Sequence, residues 1–258
     1  MSDVLGPVRL QTFEDTTVKL FQPDDSKISS AAKLFIYPID WLKYFGFVNA
    51  DSPTANNIRS TANIVKLVTG GTFEIPGKLR EIRAAMLVFY HHRTSENGKK
   101  VLWALNGLVN PVADTVELAA ERGIGNVSAD TVASIKKLNG VSMFFHWGRV
   151  AMGSWNGYWQ EKGVRPLSSQ QDADHQRELN KQIYECAKAV SYFAVSILII
   201  SSLFLGIVAP PIAFTTALTS ALVFTLLGFY NAELGRTAKS IRPTLLAPAF
   251  PPPLNGGG

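Results

Sequence analysis

The sequence predicts an all-α fold: a helical membrane protein with a cytoplasmic-side helical region and a C-terminal two-helix transmembrane hairpin. Three observations carry that reading. From Ala189 to Ala232, about 44 residues pass without an acid, a base or a histidine, whereas one span needs only roughly 20 apolar residues. Elsewhere apolar residues recur at helical spacing, and no strand-like alternation competes with them. Only 17% of the residues are charged, against roughly 25% in an average soluble chain. The expected division is a poorly structured segment over 1–30, a membrane-associated helical region over 31–180, the hairpin over 181–242 and a disordered Pro/Gly-rich tail over 243–258.

The first stretch, Met1–Lys27, carries Asp3, Glu14, Asp15, Asp24 and Asp25 and has no apolar core. It matches neither a secretory signal nor an acid-poor transit peptide. Leu34–Val48 follows, with Phe35, Tyr37, Trp41, Tyr44, Phe45 and Phe47 beside Lys33 and Lys43, a mixture that suits the headgroup boundary. Ser52-Pro53 opens a helix, with a capping hydroxyl and a proline at the first helical position. Ile58, Ala62, Val65 and Val68 form its apolar stripe, which Gly70-Gly71 and Pro76-Gly77 interrupt. From Lys78 a second stripe runs through Leu79, Ile82, Met86 and Phe89, flanked by Arg80 and Arg83.

A loop over Thr94–Gly98 is expected before the stripe Val101, Leu105, Leu108, Val112, Val116 and Ala119, which Gly123 and Gly125 end. Ser128, with Asp130 in the first turn, starts a helix running to Trp159. Its stretch Met143–Trp159, with Phe144, Phe145, Trp147, Trp155, Tyr158 and Trp159, suits the headgroup boundary or, as the preferred reading, bundle packing, where Gly148, Gly153 and Gly157 would serve close helix approach. A polar stretch, Leu167–Asn180, leads into the first span as one continuous helix.

Within the uncharged run, Pro210-Pro211 marks the turn, since proline lacks an N–H and disfavours helix in the residue before it. Spans are expected at 189–208 and 212–231, with Ser202, Gly206, Ala213, Ala217 and Ala221 allowing close approach and Tyr192 and Tyr230 in an aromatic belt. A hairpin buried in a soluble core is the competing explanation. Arg177, Lys181 and Lys188 precede the first span, and Arg236, Lys239 and Arg242 follow the second. Because the turn carries no cation, both termini are expected on the cytosolic side.

The single cysteine, Cys186, excludes an internal disulfide; next to the span it is an inert thiol or a palmitoylation site. The net charge of +5 reads as affinity for anionic headgroups, with no nucleic-acid motif. His91 and His92 are adjacent and cannot form an i, i+4 metal pair. His146 and His175 have no partners at ligand spacing, so no metal is expected. Asp114 and Glu117 share a helix face, more often a solvated edge or a pair that meets Lys and Arg of a neighbouring helix than an acid–base site. Gly123-Ile124-Gly125 is not a dinucleotide loop, and Asn126-Val127-Ser128 is a sequon on the side expected to be cytosolic. Neither an enzyme nor a cofactor is expected.

The order of these features resembles the peroxin-11 family, membrane proteins that elongate and proliferate peroxisomes and glycosomes. Asp25-Ser26-Lys27, Lys33-Leu34-Phe35 and Trp41-Leu42-Lys43-Tyr44 look like its opening helix. Ser60 to Arg83, with Ala62, Lys66, Leu67, Phe73, Leu79 and Arg80, sits where the family has an amphipathic helix. Val101–Gly123 and Ser134–Trp159, the latter with Lys136, Lys137 and Leu138, are similar to the helices that follow. Ser220–Tyr230 resembles the terminal span.

The resemblance implies an organelle membrane protein whose amphipathic helix binds the membrane surface through Lys66, Lys78, Arg80 and Arg83. Its implied partners are the lipid bilayer, further copies of itself, fission factors and a peroxisomal membrane-protein import receptor. Targeting would fall to the basic residues around 181–188 or 236–242. An alternative is a chlamydial-type inclusion membrane protein, in which a bilobed hydrophobic anchor carries a host-interacting helical domain. A carrier or channel is the third class, disfavoured because neither span contains a charge.

Overall fold

The computed structural model describes residues 25–164 and 169–245, with side chains described within 28–164 and 171–233. Among the described residues every regular element is helical: α1 (Asp25–Tyr44), α2 (Pro53–Leu67), α3 (Ile75–His91), α4 (Ser95–Glu121), α5 (Ala129–Lys162), α6 (Ser169–Leu205) and α7 (Pro211–Leu245). A π-helical turn, Val68–Thr72, joins α2 to α3. Local chemistry sets several starts. Ser52, Thr94 and Ser128 each accept a backbone N–H at the head of α2, α4 and α5, and Pro53 occupies the first turn of α2.

Several expected boundaries move. Helix begins at Asp25, inside the stretch expected to be poorly structured. The expected loop over Thr94–Gly98 shrinks to His92–Thr94, because the Thr94 hydroxyl caps the next helix at once. α5 continues past Trp159 to Lys162. α7 reaches Leu245, beyond the expected start of the tail, and residues 246–258 lie outside the described residues. So does most of the segment 1–30.

The stretch Ser60–Arg83 is not one helix. Phe73 N–H bonds the Val68 carbonyl at 3.1 Å, five residues back, and α3 then starts afresh at Ile75. The cause is crowding. A β-carbon on Gly70 would lie 2.8 Å from Ser29 Oγ, and one on Gly71 would lie 2.9 Å from Asp114 Cβ. Only glycine lets the turn fit between α1 and α4.

The polar approach and the first apolar stretch form one helix, as expected: α6 spans 37 residues. It stops at Leu205, short of Val208. Gly206 takes a left-handed φ of +66°, and Ile207 N–H reaches back to the Ser201 carbonyl at 3.1 Å, so a glycine ends the helix before the prolines act. Pro211 then begins α7. Both helices are long and apolar enough to cross a membrane, and only 17% and 11% of their apolar windows are buried. A core helix of a soluble globule would be mostly enclosed. These are not.

The helical region and the hairpin are not stacked end to end. α5 runs antiparallel along α6: β-carbons on its Gly140, Gly148 and Gly157 would meet Ile199, Phe193 and Gln182 at 2.7, 3.2 and 2.8 Å. Trp147 stacks on Tyr192 and Phe144 lies against Phe193. Tyr192 is therefore a packing residue shared by α1, α5 and α6. α4 pairs antiparallel with α5, where Asn106 meets Ser142 and Asn110 meets Asn139. α1 closes the ring: Trp41 Nε1 donates to Thr219 Oγ1 at 3.0 Å on α7, and Lys33 Nζ to Tyr192 OH at 3.3 Å on α6. Of the small residues expected at the α6–α7 contact, Ala221 is fully buried, whereas Ser202 and Gly206 are exposed.

The glycine seam yields a paired test. Gly153 has open space where a β-carbon would go, so Gly153→Ala should stabilise by about 0.5–1 kcal/mol through helix propensity. Gly140→Leu should cost about 1–3 kcal/mol by wedging α5 off α6. Thermal unfolding of both purified variants reads the difference.

Candidate functional site

The helices sort their side chains in an unusual way. Large apolar residues face outward on every one of them: Phe35 on α1, Ile58 on α2, Met86 on α3, Leu102 on α4, Phe145 on α5, Ile197 on α6 and Val223 on α7 are all exposed. The fully buried positions are few and mostly small, among them Ala189, Ser196 and Ala221. In a soluble protein the arrangement is reversed.

Polar side chains turn instead into a chamber of about 580 Å³ ringed by α1, α2, α4, α5 and the hairpin. α1 contributes Lys33, Tyr37 and Asp40, and α2 contributes Arg59, Asn63 and Lys66. Asn106, Asn110 and Asp114 come from α4, and Asn139, Ser142 and His146 from α5. The hairpin supplies the apolar wall, including Val195, Ile199, Phe214 and Leu218.

Part of this set is internally satisfied. Arg59 pairs with Asp40 through Nε at 2.5 Å. Ser142 Oγ donates to Asn106 Oδ1 at 2.8 Å while Asn106 Nδ2 donates back to the Ser142 carbonyl at 3.3 Å. Asn139 Nδ2 donates to Asn110 Oδ1 at 3.3 Å, and Asn110 Nδ2 approaches Asp114 Oδ2 at 3.5 Å. Three groups are left with spare capacity. Asn139 Oδ1 is buried with no hydrogen-bond partner. Lys33 uses one of its three N–H donors on Tyr192. Lys66 has no hydrogen bond or ion pair among the described residues, although it and Lys33 both act electrostatically on Asp114.

The expected membrane-surface set divides in two. Lys66 and Lys78 are half-buried and line the chamber, with Lys78 held by Glu81 at 3.1 Å. Arg80 and Arg83 are exposed on α3. Lys78 lies on the same helix as Arg80 and Arg83 but two and five residues before them, so it faces the other way. Glu117 meets a lysine of the neighbouring helix, one of its two expected surroundings, pairing with Lys136 at 3.2 Å, while Asp114 turns inward.

The cations before the hairpin are each held by an acid three residues earlier: Arg177 by Asp174 at 3.0 Å, Lys181 by Glu178 at 2.9 Å and Lys188 by Glu185 at 3.9 Å. Lys188 also lies over the Trp147 ring. The side chains of Arg236, Lys239 and Arg242 fall outside the described side chains. Pro210 and Pro211 are exposed where the chain passes from α6 into α7. His175 is tied to Glu161 at 2.9 Å, and no cluster of metal-ligating side chains occurs among the described residues.

Asp40, Arg59, Asn106 and Asn139 were not singled out from the sequence, and Lys33 stood out only as a cation of the headgroup boundary. One signal pointed at part of the set. Asparagine is a poor helix former, yet Asn63, Asn106, Asn110 and Asn139 all sit inside helices, where such a residue usually answers a specific partner. No family model, no curated protein and no solved structure matches this chain.

Cys186 lies just before the first apolar stretch, half-buried, with Sγ 3.8 Å from the Ala151 carbonyl on α5. Burial pushes its thiol pKa up, which lowers the thiolate fraction at neutral pH. Maleimide labelling of the folded protein at pH 7 should be slower than labelling of glutathione. Its rate should still be rising at a pH where the glutathione rate has levelled off.

Proposed function

We propose that the protein is a multi-pass membrane protein that works by holding a small polar solute in a chamber walled by its own helices. The observation behind this reading is the sorting of side chains, apolar outward on all seven described helices and polar inward around one cavity. If α6 and α7 cross the bilayer, the first half of α5 and the body of α1 lie beside them, and their outward phenylalanines and leucines meet lipid. Ionisable groups at such depth are costly and usually mark a binding site or a pathway. The missing charge that counted against a carrier comes from α1, α2 and α4 and not from the spans. The chamber also falls within the roughly 300–1,000 Å³ common for small-molecule sites.

Cysteine accessibility tests this in full-length protein reconstituted in vesicles and carrying Cys186→Ser. Gly107→Cys, on the chamber wall with room for a side chain, should react with a charged thiosulfonate about tenfold faster than Phe145→Cys on the outer face, in line with thiol exposure. Phe145→Cys should react readily with a lipid-soluble maleimide. Equal rates with the charged reagent, or release of the protein by alkaline carbonate, would rule the proposal out.

A second reading draws on α3. Leu79, Met86, Leu87, Phe89 and Tyr90 are exposed there, with Arg80 and Arg83 beside them, and they line an apolar groove of about 680 Å³. Such a helix suits wedging between headgroups. It supports the membrane elongation and organelle proliferation implied by the peroxin-11 resemblance, with α3 alone in place of Ser60–Arg83. Peroxisomal or glycosomal location, self-association, the import receptor and fission factors rest on that resemblance. Full-length protein should deform anionic vesicles under electron microscopy, and Arg80→Glu with Arg83→Glu should suppress this without blocking insertion. Undiminished deformation by the double variant would remove α3 as the wedge.

A further inference from the structure

We propose that the chamber is a binding site for a small zwitterion, its anionic group held by Lys33 and Lys66 and its ammonium by Asp114. This rests on the chamber being a solute site, as proposed above, and adds the chemistry of the solute. The two walls differ in kind. On one side, α1 and α2 present ammonium groups: Lys66 with no bond among the described residues and Lys33 with two N–H donors to spare. On the other, Asn110 links Asn139 to Asp114, with contacts of 3.3 and 3.5 Å, into one acceptor surface.

Neither lysine closes onto Asp114. Opposite charges in a half-open cleft gain by direct pairing, and holding them apart leaves both underpaired. A cation or an anion alone would satisfy one wall and leave the other uncompensated. A ligand with both charges a few bonds apart satisfies both, and it enters with no net charge, which lessens the cost of leaving water. The apolar wall of Val195, Ile199 and Phe214 leaves room for a short side chain or an acyl backbone. Two sources carry this chemistry, a free amino acid and the headgroup of an ethanolamine phospholipid.

The test uses the full chain in detergent, with the unfolding midpoint read by tryptophan fluorescence. L-serine, L-glutamine or dihexanoyl phosphatidylethanolamine should raise the midpoint saturably. N-acetyl-L-serine and L-serine methyl ester, each missing one charge, should be at least about tenfold weaker, as expected when a buried charge loses its partner. Lys66→Gln and Asp114→Asn should lose the protection, Lys66→Arg should keep part of it, and Arg80→Gln on the outer surface should behave as the parent.

Protection by the amino acids supports a free solute, and protection by the lipid alone supports a headgroup; both keep the zwitterion chemistry. The proposal is overturned if none of the three protects, if the single-charge analogues protect equally, or if Lys66→Gln is protected as well as the parent. A failure here with Gly107→Cys still open to the charged reagent would leave the chamber standing and remove only its zwitterion.

Discussion

The close seam between α5 and α6 governs the rest of the molecule. Gly140, Gly148 and Gly157 remove the side chains that would hold the two axes apart, and Ile199, Phe193 and Gln182 occupy the space. Without that approach α5 would have no reason to lie along the hairpin. With it, α4 follows through the Asn106–Ser142 and Asn110–Asn139 contacts. α1 completes the circuit by gripping Tyr192 and Thr219. The chamber is what remains in the middle.

The elements were legible in the sequence because their causes are local. Ser52-Pro53 and Ser128 announce helix starts through one hydroxyl each, and the uncharged run announces two apolar helices by composition alone. What could not be read was which way each helix faces. The stripe Ile58, Ala62, Val65 has the same 3.6-residue period whether it faces a core or a lipid. Here Ile58 and Val65 are exposed and only Ala62 is buried. Periodicity marks a boundary between two media without saying which medium lies outside.

The candidate site was less legible still. Lys33, Lys66, Asp114 and Asn139 come from four helices, and no spacing along the chain connects them. Lys66 and Lys78 looked like members of a basic surface with Arg80 and Arg83, but Lys78 precedes those arginines by two and five residues on one helix and so faces the other way. Between α2 and α3 the π-turn at Gly70-Gly71 adds its own change of phase. Irregular turns of this type inside helices often accompany functional sites, and this one borders the chamber through Gly70.

Two prolines sit inside helices that wall the chamber: Pro38 in α1 and Pro111, fully buried, in α4. Each removes the amide that would have bonded the carbonyl four residues earlier, and for Pro111 that carbonyl belongs to Gly107, on the cavity lining. Both walls thus contain a helix that lacks one rung of its own ladder. Such a helix bends there at less cost than elsewhere, so any change in the width of the chamber would be taken up at these two prolines sooner than at the glycine seam.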